Sequence, residues 1–206
     1  MNAPFMVAVS GGTGAGKTTF VRSLTERLQE HKPLVISLDD YYKDLSHLPL
    51  SERKSANFDH PKAIERELLH EQISLLRAGV KVNKPKYDFT SHTRLEESTE
   101  IEPAKIIILD GIFSLCYTEL YRLLDLKIFL DVDSDVRIVR RIGRDMAERG
   151  RDFDSCSKQY LSSVKEMHEK FVEPSKYNAD FVVPWREFND RAVRYLAELI
   201  KFELNK

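Results

Sequence analysis

Residues 11–18 read Gly11-Gly12-Thr13-Gly14-Ala15-Gly16-Lys17-Thr18, and the apolar run Phe5-Met6-Val7-Ala8-Val9 feeds straight into them. GGTGAGKT fits the template G-x-x-x-x-G-K-[ST], and strand, glycine-rich loop and helix is the context in which that octapeptide cradles a polyphosphate. The glycines let successive backbone N–H groups point inward at an anion. Lys17 reaches the outer phosphates, and the Thr18 hydroxyl stands where Mg²⁺ would be held. The helix that opens here adds its positive N-terminal dipole to the same anion. The sequence therefore predicts a nucleoside triphosphate site over the loop, with Thr19 closing it.

Outward from that loop, short apolar runs alternate with amphipathic stretches. This predicts an α/β fold with a five-stranded parallel sheet flanked by helices. The strands are expected at Phe5–Ser10, Leu34–Leu38, Ala104–Leu109, Leu126–Val132 and Ala179–Val183. Helices are expected from about Lys17 to Glu30, from Pro61 to Gly79, from about Asp133 to Gly150, over Asp154–Val172 and over Asn189–Leu204. In the last of these Val193, Ala197, Ile200 and Leu204 share one face, a core stripe. Residues 80–102 carry alternating polar residues and predict a small antiparallel excursion in three pieces, Lys81–Asn83, Lys86–Phe89 and Arg94–Ile101. The polar stretch Tyr41–His60 is long enough to be a functional loop.

The totals bound the function. A chain of 206 residues with 42% hydrophobic residues is expected to form one domain with a substantial core. A formal net charge of −1 argues against a nucleic-acid partner held by bulk electrostatics. Two cysteines, Cys116 and Cys156, are too few for a disulfide framework and are expected to be ordinary thiols. No apolar run approaches the ~20 residues that span a bilayer. No basic region followed by an apolar segment opens the chain, so a cytoplasmic protein is expected.

Three groups of side chains carry candidate chemistry. Ile106-Ile107-Ile108-Leu109-Asp110 has the form of a Walker B strand, whose terminal carboxylate would serve a hard cation directly or through water. Asp39 and Asp40 follow the second strand, and in open α/β sheets ligands sit beyond the carboxyl ends of the strands. Asp39 is the favoured base and a further metal-side carboxylate, although spacing does not separate it from Asp40. The third group is Arg137, Arg140, Arg141, Arg144, Arg149 and Arg151. On a helix Arg137, Arg141 and Arg144 share a face opposite Ile138, Val139, Ile142 and Met146. The expectation is a lid over about residues 140–160 that packs its apolar face and presents its arginines to phosphate.

Several strings line up with one family. GGTGAGKT (11–18), LDDYYKDLSHL (38–48), NFDHP (57–61), KYDFTSHTR (86–94), ILDGI (108–112), RRIGRDMAERGRD (140–152), QY (159–160), EPSKYNAD (173–180) and VVP (182–184) occur in family order across most of the chain. The chain resembles the uridine kinases (uridine–cytidine kinases) of the P-loop kinase class. That resemblance implies transfer of the γ-phosphate of ATP or GTP, with Mg²⁺, to the 5′-hydroxyl of uridine or cytidine. By motif position Asp39 matches the general base, Lys17 and the P-loop amides the phosphate cradle, and Thr18 and Asp110 the metal side. Asp59 and Arg141 match the groups on the ribose hydroxyls. Tyr87 and His92 match the readers of the pyrimidine edge, with Phe89 beside them and Tyr42 close to the base pocket. Arg144 and Arg149 match lid arginines on the phosphates, and Arg151 and Gln159 further nucleoside-pocket residues. The family often forms homotetramers, which implies a homo-oligomer here.

Two positions depart from the family pattern. Asp110 stands where the family usually has Glu, which leaves direct and water-mediated metal contact both open. Pro184-Trp185-Arg186-Glu187-Phe188 replaces the usual Pro-Arg-Gly, so Trp185 either stacks on the donor purine or covers the core. The alternatives to a nucleoside kinase are a phosphoribulokinase-like or pantothenate kinase-like enzyme and a catalytically silent nucleotide-binding relative. A GTPase is excluded by its guanine reader: Asn83-Lys84-Pro85-Lys86 lacks the required acid and precedes the Walker B strand.

Overall fold

A computed structural model describes residues 3–206. Strands β1 (Phe5–Gly11), β2 (Leu34–Ser37), β5 (Ile106–Asp110), β6 (Leu126–Asp131) and β7 (Phe181–Pro184) form a parallel sheet in the order β2-β5-β1-β6-β7. Side chains alternate across a strand, so β1 and β5 feed two cores at once. Met6, Ala8, Ile107 and Leu109 point to one face, where Leu69, Ile73 and Leu76 of helix α3 (Arg66–Arg77) cover them. Val7, Val9, Ile106 and Ile108 point to the other face. There they meet Phe20, Val21 and Leu24 of α1 (Lys17–Arg27) and Val193, Leu196, Ala197 and Ile200 of α8 (Asp190–Leu204). The expected stripe on the last helix is therefore core.

Register places the chemistry. Val9 and Ser37 both lie opposite Asp110, while Gly11 lies opposite Leu130 and Asp131 opposite Pro184. The glycine loop, the turn after β2, the end of β5 and the loops after β6 and β7 thus all emerge at one edge of the sheet.

The excursion is two strands, β3 (Val82–Asp88) and β4 (Thr93–Ile101), paired antiparallel. The first two expected pieces merge into β3, with a register shift between Pro85 and Tyr87 that turns the tyrosine ring inward. Pro61 opens a separate 3₁₀ turn, Pro61–Ala63, ahead of α3, because the next residue, Ile64, is extended and pairs with Tyr42. The stretch Tyr41–His60 contains the short helix α2 (Leu50–Ser55), and α4 (Thr118–Tyr121) follows β5.

The lid comprises α5 (Ser134–Arg149) and α6 (Phe153–Gln159), joined at Gly150, whose φ of 62° is the left-handed conformation glycine adopts readily. Beyond α6 the helix continues through wide π turns, Tyr160–Val164 and His168–Val172, around α7 (Lys165–Met167). The orientation of α5 corrects the sequence expectation. Arg137, Arg141 and Asp145 face inward and are buried, whereas Val139 and Met146 are exposed. The helix buries its charged face because that face meets the glycine loop and the segment around Asp59, not the hydrocarbon core.

Candidate active site

The glycine loop is shaped by a neighbour as well as by its own sequence. Arg137 is buried against it, donating its Nε–H to the Val132 carbonyl at 2.9 Å. A Cβ on Gly12 would collide with the Arg137 guanidinium, and one on Gly14 (φ +76°) with its backbone carbonyl. Lys17 donates from Nζ to the carbonyls of Gly11 and Gly12 at 3.1 and 3.2 Å. Burial pulls the Lys17 ammonium below its ordinary range, while Asp110 and Asp39 push it back up.

On the facing side the Thr18 hydroxyl donates to Asp110 Oδ2 at 3.1 Å. Burial raises the Asp110 carboxyl above the usual carboxylate range, and Lys17 opposes that shift. Asp39 sits on a 3₁₀ turn, Leu38–Tyr41, that begins at the end of β2, with its N–H bonded to Ser37 Oγ at 3.2 Å. Burial raises its pKa too. Lys17 lowers it, Asp110 raises it, and Arg149 and Arg144 lower it. Lys17, Asp110, Arg149 and Arg144 thus all lie within electrostatic reach of Asp39. Asp40 faces elsewhere and is ion-paired with Lys84 of β3.

Tyr42 links this phosphate end to a second compartment. Its buried hydroxyl feels Asp39 on one side and Asp59 on the other, and it donates to the Phe58 carbonyl at 3.2 Å. Asp59 is presented by a turn in which its own N–H bonds Asn57 Oδ1 at 3.1 Å. Arg141 clasps it with two parallel bonds, Nη1–Oδ1 at 2.9 Å and Nη2–Oδ2 at 3.3 Å. Gln159 Oε1 accepts from Arg141 Nη2 at 3.3 Å and from Arg151 Nη1 at 2.6 Å, so α5, the Gly150 turn and α6 converge there.

The wall opposite is aromatic. Tyr42 and Phe58 meet edge-on at 5.2 Å, Tyr42 and Tyr87 lie 5.4 Å apart, and Tyr87 and Phe89 are 5.3 Å apart. Phe58 stacks on the His92 ring at 5.0 Å and 22°. His92 adopts φ 53° in the turn between β3 and β4, the left-handed conformation. Burial and the nearby cations Lys54 and Arg149 lower its pKa, so the imidazole is neutral near pH 7 and both donates and accepts. The Tyr87 hydroxyl is buried with no hydrogen-bond partner, and burial pushes its pKa up to about 12. Arg149 closes the mouth, 5.9 Å above the Phe89 ring.

The residues expected from sequence therefore fall into two adjoining groups, one around the glycine loop, Asp39 and Asp110 and one around the Asp59–Arg141 pair and the aromatic rings. Trp185 abuts the glycine loop, where a Cβ on Gly16 would meet its indole Nε1 at 3.0 Å. It is 3% exposed and packs edge-on against Phe20 at 5.1 Å, which settles its alternatives in favour of core cover. The exposed aromatic on that loop is Phe188, 5.5 Å from Trp185. Sequence reading did not single out Phe58 or Asp145 as site residues, and it set Arg137 in the arginine group without its packing against the glycine loop. Phe58 was legible as the first letter of FDHP, and Asp145 only as a member of the α5 face shared with Arg141.

Among the described residues no helix is long and apolar enough to cross a membrane. A profile of the Phosphoribulokinase / Uridine kinase family matches residues 6–192. A uridine kinase of Halobacterium salinarum is 45% identical over 202 residues, covering 98% of this chain and 89% of the relative. One of Bacillus anthracis is 42% identical over 208 residues, covering 99% and 98%. The phosphoribulokinase of Rhodobacter spheroides shares the fold, with a TM-score of 0.67 at 14% identity over 87% of this chain and 69% of that one. D-glycerate 3-kinase of Cryptococcus neoformans does so as well, with a TM-score of 0.63 at 16% identity over 83% and 80%. Phosphate loop, Walker B acid and arginine lid on this sheet, with relatives of that similarity over nearly the whole length, place the chain in the phosphoribulokinase/uridine kinase family.

Proposed function

We propose that this enzyme transfers the γ-phosphoryl group of ATP or GTP to the 5′-hydroxyl of uridine or cytidine, giving UMP or CMP. The observation that carries the reading is the Asp59–Arg141 clasp beside the unpaired Tyr87 hydroxyl and neutral His92, one tyrosine away from Asp39. A carboxylate and a guanidinium held side by side suit the two hydroxyls of a ribose. His92 and Tyr87 offer donor and acceptor to a pyrimidine edge.

The nucleoside so held directs its 5′-hydroxyl at Asp39, whose carboxylate accepts the proton as the oxygen attacks. Its raised pKa makes it a stronger base than a solvated carboxylate. Lys17 leaves the Gly11 and Gly12 carbonyls for the donor phosphates, and Arg144 and Arg149 meet the charge on the transferring group. The Thr18 hydroxyl and Asp110 offer adjacent hard oxygens, with Asp39 nearby, which fits Mg²⁺ completed by phosphate and water. No cluster of three or more His, Cys, Asp or Glu exists among the described residues to cage a metal alone. Bound there, the ion would neutralise phosphate charge.

The test is a phosphate-transfer assay with Mg·ATP and Mg·GTP over uridine, cytidine, their 2′-deoxy forms, adenosine, ribulose 5-phosphate and pantothenate. Transfer to uridine or cytidine with the others poor supports the reading. Preference for a sugar phosphate or for pantothenate overturns it, as does no transfer at all.

A further inference from the structure

Asp145 has no exposed surface, and four guanidiniums surround it. Arg144 donates Nε and Nη2 to Oδ1 at 3.1 and 3.0 Å, and Arg149 Nη1 stands 3.6 Å from the same oxygen. Arg141 Nε and Arg151 Nη1 each lie 3.7 Å from Oδ2, beyond hydrogen-bond range, and Oδ2 accepts no bond although it is buried. The backbone carbonyl of Asp145 also accepts the N–H of Gly150 and Arg151, so the residue fixes the turn that carries the last arginine.

The two oxygens face different arginine pairs. The pair at Oδ1 reaches Asp39 with its charge, and its Arg149 also lies over the Phe89 ring. Those at Oδ2 are the pair on Gln159, one of which clasps Asp59. We propose that Asp145 is a positioning residue that couples donor binding to nucleoside binding, a role that rests on the nucleoside kinase reading above. In the free enzyme Oδ1 is committed to Arg144, and Oδ2 is left short of Arg141 and Arg151. A triphosphate is a stronger and more mobile competitor for Arg144 and Arg149 than one carboxylate shared among four cations. Drawing them off frees the carboxylate to turn and bond Arg141 and Arg151, which stiffens both over Asp59 and Gln159. The nucleoside then binds arms that are already placed. By linkage the nucleoside strengthens donor binding by the same factor.

Calorimetric titration of uridine into enzyme alone, and into enzyme saturated with Mg²⁺ and the β,γ-imido analogue of ATP, measures the coupling as a ratio of Kd values. The wild type is expected to bind uridine roughly 5- to 20-fold more tightly with the analogue present. Asp145→Asn, which keeps the size and removes the charge, is expected to bring the ratio to about one. Arg144→Ala removes a half-exposed side chain and releases Oδ1 without donor. It is expected to bind uridine more tightly than wild type in the absence of analogue, and to gain little when analogue is added. A merely structural Asp145 gives no such tightening. A wild-type ratio of one, a coupling retained in Asp145→Asn, or donor-free uridine affinity in Arg144→Ala that is unchanged or weaker overturns the proposal. If Asp145→Asn does not fold, the wild-type and Arg144→Ala ratios decide. Uridine phosphorylated by an enzyme with a ratio of one sinks the coupling alone. Uridine neither bound nor phosphorylated sinks the nucleoside reading as well.

Discussion

Asp39 and Asp40 are consecutive residues with different surroundings: Asp40 is spent on Lys84 of the β3–β4 hairpin, and Asp39, within electrostatic reach of Lys17, has no ion pair among the described residues. The 3₁₀ turn over Leu38–Tyr41 sends the two side chains in different directions, a divergence that their spacing in sequence could not reveal. Asp39→Asn is expected to lower kcat by about 10²–10⁴-fold, the usual worth of a general base. Asp40→Asn is expected to cost about 1 kcal/mol of stability through the partly exposed pair it breaks, with kcat little changed. Steady-state kinetics and thermal melts on both variants check the division; comparable kcat losses in the two would refute it.

The same carboxylate predicts a stability effect of opposite sign. The folded pKa of Asp39 is raised, so its ionisation costs folding free energy, and its contribution is fully present below the unfolded pKa and lost as pH rises through the folded one. Asp39→Asn removes that cost. At pH 7 its Tm is expected to exceed that of wild type by about 2–4 °C per kcal/mol regained. The difference between the two proteins should shrink as pH falls through the carboxylate range. Equal melting temperatures at every pH would contradict the burial argument.

The Asp59–Arg141 clasp predicts sugar selectivity. 2′-Deoxyuridine leaves one buried partner unmatched, at about 1–3 kcal/mol, so kcat/KM is expected to fall roughly 10- to 100-fold relative to uridine. Competing the two nucleosides in one reaction reads the ratio directly, and parity would remove the diol from the argument.

His92 predicts a split between substrates. His92→Ala is expected to raise the nucleoside KM by about tenfold while the donor KM stays within about twofold. Because burial and nearby cations lower its pKa, the ring stays neutral to lower pH than a free imidazole. The nucleoside KM of the wild type should therefore be flat from pH 8 to 7 and rise only on acidification below the ordinary imidazole range. A KM that climbs already between pH 8 and 7 would mean a protonated imidazole.

Trp185 predicts loss of stability without loss of donor recognition. Buried edge-on against Phe20, it is expected to cost about 3–5 kcal/mol when changed to Ala. Donor KM, measured at a temperature where the variant is folded, should change little. A donor KM raised tenfold would return Trp185 to the purine.

The parallel sheet was legible because its strands are apolar on both faces, as in Ile106-Ile107-Ile108-Leu109, and because glycine at the β1–α1 turn admits few other structures. The two compartments were legible through short strings such as FDHP and YDFTSHTR. What sequence misjudged was α5. Periodicity separated arginines from Ile138, Val139, Ile142 and Met146, and the usual rule turns the apolar side inward. Here Arg137, Arg141 and Asp145 are inward because their partners, the glycine loop and Asp59, arrive from distant parts of the chain. A one-dimensional pattern records which residues share a face and not which neighbour that face meets. Phe58 escaped notice for the same reason, since its stacking on His92 joins residues brought together only by the hairpin.

The inverted helix has one more consequence. An element seated on oil holds its grip in brine, and one seated on ions does not. Arg144 and Arg149 keep enough contact with solvent to be screened, whereas Arg141 and Asp59 lie beneath them in a drier layer. Rising ionic strength would loosen the outer pair first and leave the inner one fastened, so the background electrolyte acts as a dial on how firmly the cap shuts, while the floor of the cleft stays indifferent to it.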